Sequence, residues 1–180
     1  MASGMHVALL RGVNVGRAKR VAMADLRALV EGLGYGSVRT LLNSGNVVFS
    51  VPRGARGDPA QRIEQALEAE LGLSARVFVL SARELAAVVD GNPLLKGAKD
   101  PARLLVAVWS KPADRKRLAA LEQADWSPDA FAAGPRAGYL WCSVGILESK
   151  LNMALGKALG DGSTSRNWAT IMKLHALVVE

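Results

Sequence analysis

Residues 11–20, RGVNVGRAKR, put two glycines, an asparagine and four basic side chains within ten positions, directly after an apolar run. Together those residue types can hold an anion. Glycine lets the backbone come close to a ligand, arginine and lysine bring charge, and an amide side chain gives directed hydrogen bonds. A helix is expected to follow, and a helix N-terminus carries unpaired N–H groups and a partial positive charge. These are the ingredients of a phosphate site. The run GVNVG is neither GxGxxG nor a loop ending in GK and a hydroxyl residue, so it matches no nucleotide fingerprint. The plainer alternative stays open: Gly12 and Gly16 shape a connection, Asn14 closes an Asx turn, and the basic side chains are solvated.

A second polar stretch is DGSTSRNWATIMK, 161–173. Ser163, Thr164 and Ser165 are N-cap candidates for a helix over 163–180, with Trp168, Ile171, Met172 and His175 along one stripe. Arg166 and Asn167 at that helix start form a second candidate anion contact. The alternative is a capped helix anchored by Trp168, with Arg166 on the surface or in a salt bridge.

Other chemistry finds little support. His6 and His175 are the only histidines and have no metal-ligand spacing, so no metal site is expected. No cofactor is expected either. Cys142, in YLWCSV, reads as a buried strand residue without an activator. Ser44 lies in a hairpin, not in a GxSxG elbow, and no reaction is assigned. Trp109, Trp126, Tyr139 and Trp141 lack the aromatic-glycine pattern of RNA-binding sheets and read as core.

The elements that must position these residues follow from periodicity. HVALLR (6–11) is a strand; Met23, Leu26, Leu29, Val30 and Leu33 recur at helical spacing until GLGYG stops them. SVRTLL (37–42) and NVVFSV (46–51) flank NSG, a hairpin signal. Ile63, Leu67 and Leu71 mark a second helix and RVFVLS (76–81) a fourth strand. The order is β-α-β-β-α-β. After a short helix (81–91) and a polar connector, RLLVAVWS (103–110) is apolar on both faces and reads as a central strand. A helix (113–124), a second hairpin around PRA, and helices over 146–160 and 163–180 complete the chain. The expected fold is α+β, with two ferredoxin-like units, the second ending in an extra C-terminal helix. The division is 1–81, a connecting helix and linker over 82–102, and 103–180.

In that order the first and third strands are neighbours, and the first ends at the edge where the second and third turn. The 11–20 loop and the 43–46 turn are therefore expected side by side. Arg11, Asn14, Lys19, Asn43, Ser44 and Asn46, with Gly12, Gly16 and Gly45, then gather at one sheet edge, beside the N-terminus of the first helix.

Half of the residues are hydrophobic and 22% are charged, enough apolar material for a packed core. No apolar run approaches the roughly 18 residues of a membrane span, and the opening residues lack a signal-peptide pattern. With one cysteine, no internal disulfide can form. These features point to a cytoplasmic protein without a membrane partner. Net charge is +7, and residues 1–56 hold eight Lys/Arg against two acids, so the excess sits around the opening loop. A basic face favours phosphate-bearing partners. The leading expectation is a phosphate-bearing or other anionic small molecule at the 11–20/43–46 edge. The alternatives are a nucleic-acid-binding module and a protein–protein or homodimer module.

ALLRGVNVG, MADLRALVEGLGYGSVRTLLNSGNVVF, NPLLKGAKDP, ESKL and TSRNWATIMKL, in this order, resemble the bacterial family known as domain of unknown function 1697. The resemblance covers nearly the whole chain. It implies a cytoplasmic α+β protein and carries no established activity, substrate or cofactor. It draws attention to Arg11, Gly12, Asn14, Gly16, Ser44, Gly45, Asn46, Arg166, Asn167 and Trp168. Arg17 departs from the family pattern, which often has a second glycine there, and Leu41–Leu42 stand where an aromatic is commoner.

Overall fold

The computed structural model describes residues 4–179. They form a mixed α+β structure with two four-stranded antiparallel sheets. The first comprises β1 (Gly4–Leu10), α1 (Met23–Gly32), β2 (Gly36–Leu41), β3 (Asn46–Val51), α2 (Pro59–Leu71) and β4 (Val77–Ser81), with strand order β2-β3-β1-β4. β1 is central, and Leu9 lies opposite Asn46 on one side and Phe78 on the other. The helical spacing read in the sequence is the buried face: Leu26, Leu29 and Val30 of α1 and Ile63 and Leu67 of α2 pack with Ala8, Leu10, Val47 and Phe49. α2 opens with an Asp58 cap accepting from Ala60 N–H and Pro59 in the first turn, where its missing N–H costs nothing. α1 has no such cap, because Ala22 occupies that position.

The chain continues through α3 (Ala82–Asp90), β5 (Leu104–Trp109), α4 (Pro112–Lys116), α5 (Ala119–Gln123), β6 (Ala130–Ala133) and β7 (Ala137–Trp141). It ends with α6 (Lys150–Leu159), a 3₁₀ turn (Gly160–Gly162), β8 (Ser163–Asn167) and α7 (Trp168–Val179). The second sheet has the order β6-β7-β5-β8. β5 is buried along its whole length, as its two apolar faces require. Leu105, Ala107 and Trp109 pack there with Leu140, Leu151 and Leu155. The chain gathers into two compact units, residues up to Leu85 with those from Leu174 onward, and Ala86–Lys173.

Three expectations need correction. The stretch 163–167 is a strand, not the start of the last helix, and α7 begins at Trp168. Serine and threonine there read as caps, but β5 offers a backbone edge, and each residue from Ser163 to Asn167 pairs with it. The second run of elements therefore also ends in a strand, with α7 following it. The stretch 113–124 is two short helices, not one. The chain breaks around buried Leu118, and Arg115 spans the break with two bonds to Glu122, at 2.7 and 2.8 Å. Finally, β2 ends at Leu41, and Leu42 turns into the left-handed region (φ 57°).

Among the described residues no helix is long and apolar enough to cross a membrane.

Candidate functional site

β1 delivers the chain to a crowded corner. Leu10 N–H donates to the Gly45 carbonyl at 2.9 Å, and Arg11 N–H donates to the Arg76 carbonyl at 2.8 Å. Arg11 is thus held between the β2–β3 turn and the start of β4. The chain then leaves the sheet, with Gly12, Asn14, Gly16 and Lys19 at φ values of 68°, 54°, 62° and 49°. Glycine and asparagine adopt this region readily; for lysine it costs about 1–2 kcal/mol. Val13 and Val21 are buried at either end of the excursion.

Asn14 organises what lies between. Its backbone N–H donates to the Lys19 carbonyl (3.0 Å), and its Oδ1 accepts from Val21 N–H (2.9 Å). Its Nδ2 donates to the Val21 carbonyl (2.9 Å) and to the Asn43 carbonyl (2.8 Å). One amide therefore closes the loop on itself and fastens it to the β2–β3 turn. The sequence expectation that the 11–20 loop and the 43–46 turn lie side by side describes this corner. Val15, Arg17, Lys19 and Arg20 stand exposed on the loop.

The turn is built as tightly. Gly45 has φ 79°, and a Cβ there would lie 2.5 Å from Val13 Cγ2 and 2.8 Å from Leu10 Cβ, so both backbone and space demand glycine. Asn46 is fully buried, and its Nδ2 donates to the Leu41 carbonyl and to Ser44 Oγ, each at 2.9 Å. Both amide hydrogens of Asn14, and those of Asn46, thus serve the loop and the turn. No Cβ contact would arise at Gly12 or Gly16, where the space is open. Charge at this corner comes from Arg11, Arg17, Lys19 and Arg20, beside the start of α1, whose cap position supplies no side-chain acceptor. Arg76 also lies here and pairs with Glu64 at 3.4 Å. No motif points to Arg76; the strand order, which sets β4 against β1, is the signal that finds it.

Arg166 and Asn167 belong to the second unit. Arg166 sits in β8 opposite Val106, not at a helix start, and its Nη1 donates to Thr164 Oγ1 (3.0 Å) and the Ser165 carbonyl (2.8 Å). Burial pushes this guanidinium down to about 10. Asn167, and not Ser163, Thr164 or Ser165, is the cap of α7, accepting Thr170 N–H at 2.9 Å. Cys142 is buried, and desolvation pushes its thiol pKa up, outweighing a hydrogen bond with Ser149. Among the described residues no group of three His, Cys, Asp or Glu side chains could hold a metal ion.

The conserved bacterial protein SP0830 from Streptococcus pneumoniae has a solved structure similar to this chain, with a TM-score of 0.74 at 20% identity, over 97% of this chain and 98% of that one. At that identity the likeness is one of fold. No curated protein matches. Residues 4–139 match the family described as Protein of unknown function (DUF1697), a span that takes in the 11–20 loop and the 43–46 turn and stops before Arg166 and Asn167. The chain belongs to the DUF1697 family.

Proposed function

We propose that the sheet edge formed by the 11–20 loop and the 43–46 turn binds a phosphate-bearing ligand. The observation that carries this reading is the Asn14 latch, which fastens the loop bearing Arg11, Arg17, Lys19 and Arg20 to the β2–β3 turn, just ahead of the uncapped start of α1. Four cations on a loop that leads into a helix start favour an anion through charge and through the helix dipole, against one acid, Asp25, in the first turn. Arg11 and Lys19 supply charge in this reading, and Gly12 and Gly16, open around their Cα atoms, give backbone access. Asn14, Ser44, Gly45 and Asn46 hold the corner in shape. Arg166 and Asn167 are not needed by it. We further read each sheet with its helices as a ferredoxin-like unit, supported by the β-α-β-β-α-β order of the first, the same order with its first helix split in two in the second, and the matching strand orders. A cytoplasmic setting suits the single buried Cys142.

The test is a thermal-shift panel of pyrophosphate, nucleotides and sugar phosphates against the wild type and Arg11→Ala/Lys19→Ala. A ligand at about a hundred times its Kd stabilises the native state by about 2.7 kcal/mol. The reading expects a raised Tm in the wild type that is lost in the variant. An equal rise in both proteins overturns it.

One observation favours a second reading, nucleic acid: Arg17, Lys19 and Arg20 are exposed within four residues of one loop, suited to a phosphate backbone. That reading expects affinity for a short RNA or DNA duplex to fall by orders of magnitude between about 50 and 200 mM salt. Little or no salt dependence sinks it.

A further inference from the structure

A cleft of about 400 Å³ lies at one end of the second sheet, between residues 125–129, which lead into β6, and residues 143–151, which join β7 to α6. Its size is that of a small ligand site. Its lining includes Trp126, Pro128 and Val144, three carboxylates, from Asp125, Asp129 and Glu148, and one cation, Lys150, while Arg103 donates to the Ser143 carbonyl at 2.7 Å beside it. That balance runs against its surroundings, because residues 86–173 hold twelve Lys/Arg and only eight Asp/Glu.

The acidic and aromatic groups are fixed in position. Asp129 Oδ1 accepts from Ser143 N–H (2.8 Å) and Ser143 Oγ (2.6 Å), and Oδ2 accepts from Ser149 Oγ (2.8 Å). Asp125 Oδ1 accepts from Ser127 N–H (2.9 Å). Hydrogen bonds from Ser127 hold the Asp125 carboxyl below its ordinary pKa; at Asp129 burial pulls the other way and the serine donors outweigh it. Both are ionised at neutral pH. The Trp126 indole N–H donates to the Leu121 carbonyl at 2.8 Å, which locks a ring able to stack against a cation. Val144, which lines the cleft, is 65% exposed, and Leu147, three residues on in the same β7–α6 loop, is 88% exposed.

We propose that this cleft docks a peptide segment carrying an arginine or lysine beside apolar side chains. The cation complements the three carboxylates and lies along Trp126, and the apolar neighbours cover Val144 and Leu147. The site shares no residue with the basic edge of the first unit and stands whether or not that edge binds phosphate. A second copy of the chain is the competing occupant, because its own loop exposes Val15 among Arg17, Lys19 and Arg20.

The test titrates fluorescein-labelled SGLRLGS, and its counterpart SGLELGS, into the full-length protein and into Asp125→Asn/Glu148→Gln. Fluorescence anisotropy is read together with the NMR resonance of the Trp126 indole N–H. Saturable binding is expected for SGLRLGS, with a shift of that resonance. Affinity is expected to fall at least about ten-fold for SGLELGS and for the variant, which keeps the wild-type circular dichroism spectrum and a cooperative melt. Three results overturn the proposal: no saturable binding, equal affinity for the two peptides or the two proteins, or a concentration-dependent doubling of mass that the variant abolishes. The last assigns the cleft to a second copy.

Discussion

Asn14 and Asn43 stand 29 residues apart, and the Asn14 amide donates to the Asn43 carbonyl at 2.8 Å. With the pair of bonds to Val21, this contact makes one rigid corner of the 11–20 loop and the β2–β3 turn. Replacing Asn14 by alanine removes two side-chain donors and an acceptor. At roughly 0.5–1.5 kcal/mol per bond, the expected loss is about 2 kcal/mol in urea unfolding. Asn14→Asp does not restore it, since a carboxylate has no N–H for either carbonyl. A loss under about 0.5 kcal/mol for the alanine variant contradicts the latch.

Gly45 and Gly12 share a positive φ and differ in space. Alanine at Gly12 costs about 1–2 kcal/mol for the left-handed backbone alone. Alanine at Gly45 adds overlap with Leu10 and Val13, roughly 1–3 kcal/mol more. Thermal melts should therefore rank Gly45→Ala well below Gly12→Ala, and equal costs refute the packing account.

Asn167, not the serines before it, caps α7. Asn167→Ala is expected to cost about 1 kcal/mol and Asn167→Asp or Asn167→Ser to recover most of it. Ser165→Ala should stay within about 0.5 kcal/mol of wild type. Urea midpoints decide, and a larger loss at Ser165 returns the cap to the 163–165 run.

The contrast between the two halves shows what a sequence makes legible. In the first, each element announces itself by apolar period: Leu26, Leu29 and Val30 form a helix face, and NVVFSV is β3 residue for residue. Strand order then brings loop and turn together without any contact being read directly. In the second, β8 has no apolar alternation, and STSRN is a strand because β5 stands beside it, a non-local cause that its own residues do not display. An Asx turn at Asn14 is readable from the sequence, but the partners of Asn14 and Asn46 are not. An asparagine in a polar loop looks available to a ligand until the carbonyls of Val21, Asn43 and Leu41 are in reach.

Asp129 ties acid stability to the second unit. Burial raises its pKa, and the donors from Ser143 and Ser149 outweigh this, so the folded value lies below that of the unfolded chain, near 3.9. Such a group contributes stability that is fully present above the unfolded value and is lost as pH falls through the folded one. Urea midpoints from about pH 6 to 2 should show the wild type losing its advantage over Asp129→Asn below about pH 4. A constant difference across that range contradicts the assignment.

The most direct test of the basic corner is a two-dimensional NMR titration of the full-length protein with pyrophosphate. Saturable shifts are expected at the backbone amides of residues 11–24 and 43–46, and their loss is expected in Arg11→Ala/Lys19→Ala. If those amides stay still while pyrophosphate moves others, or if the double variant responds as the wild type does, the corner is not the anion site.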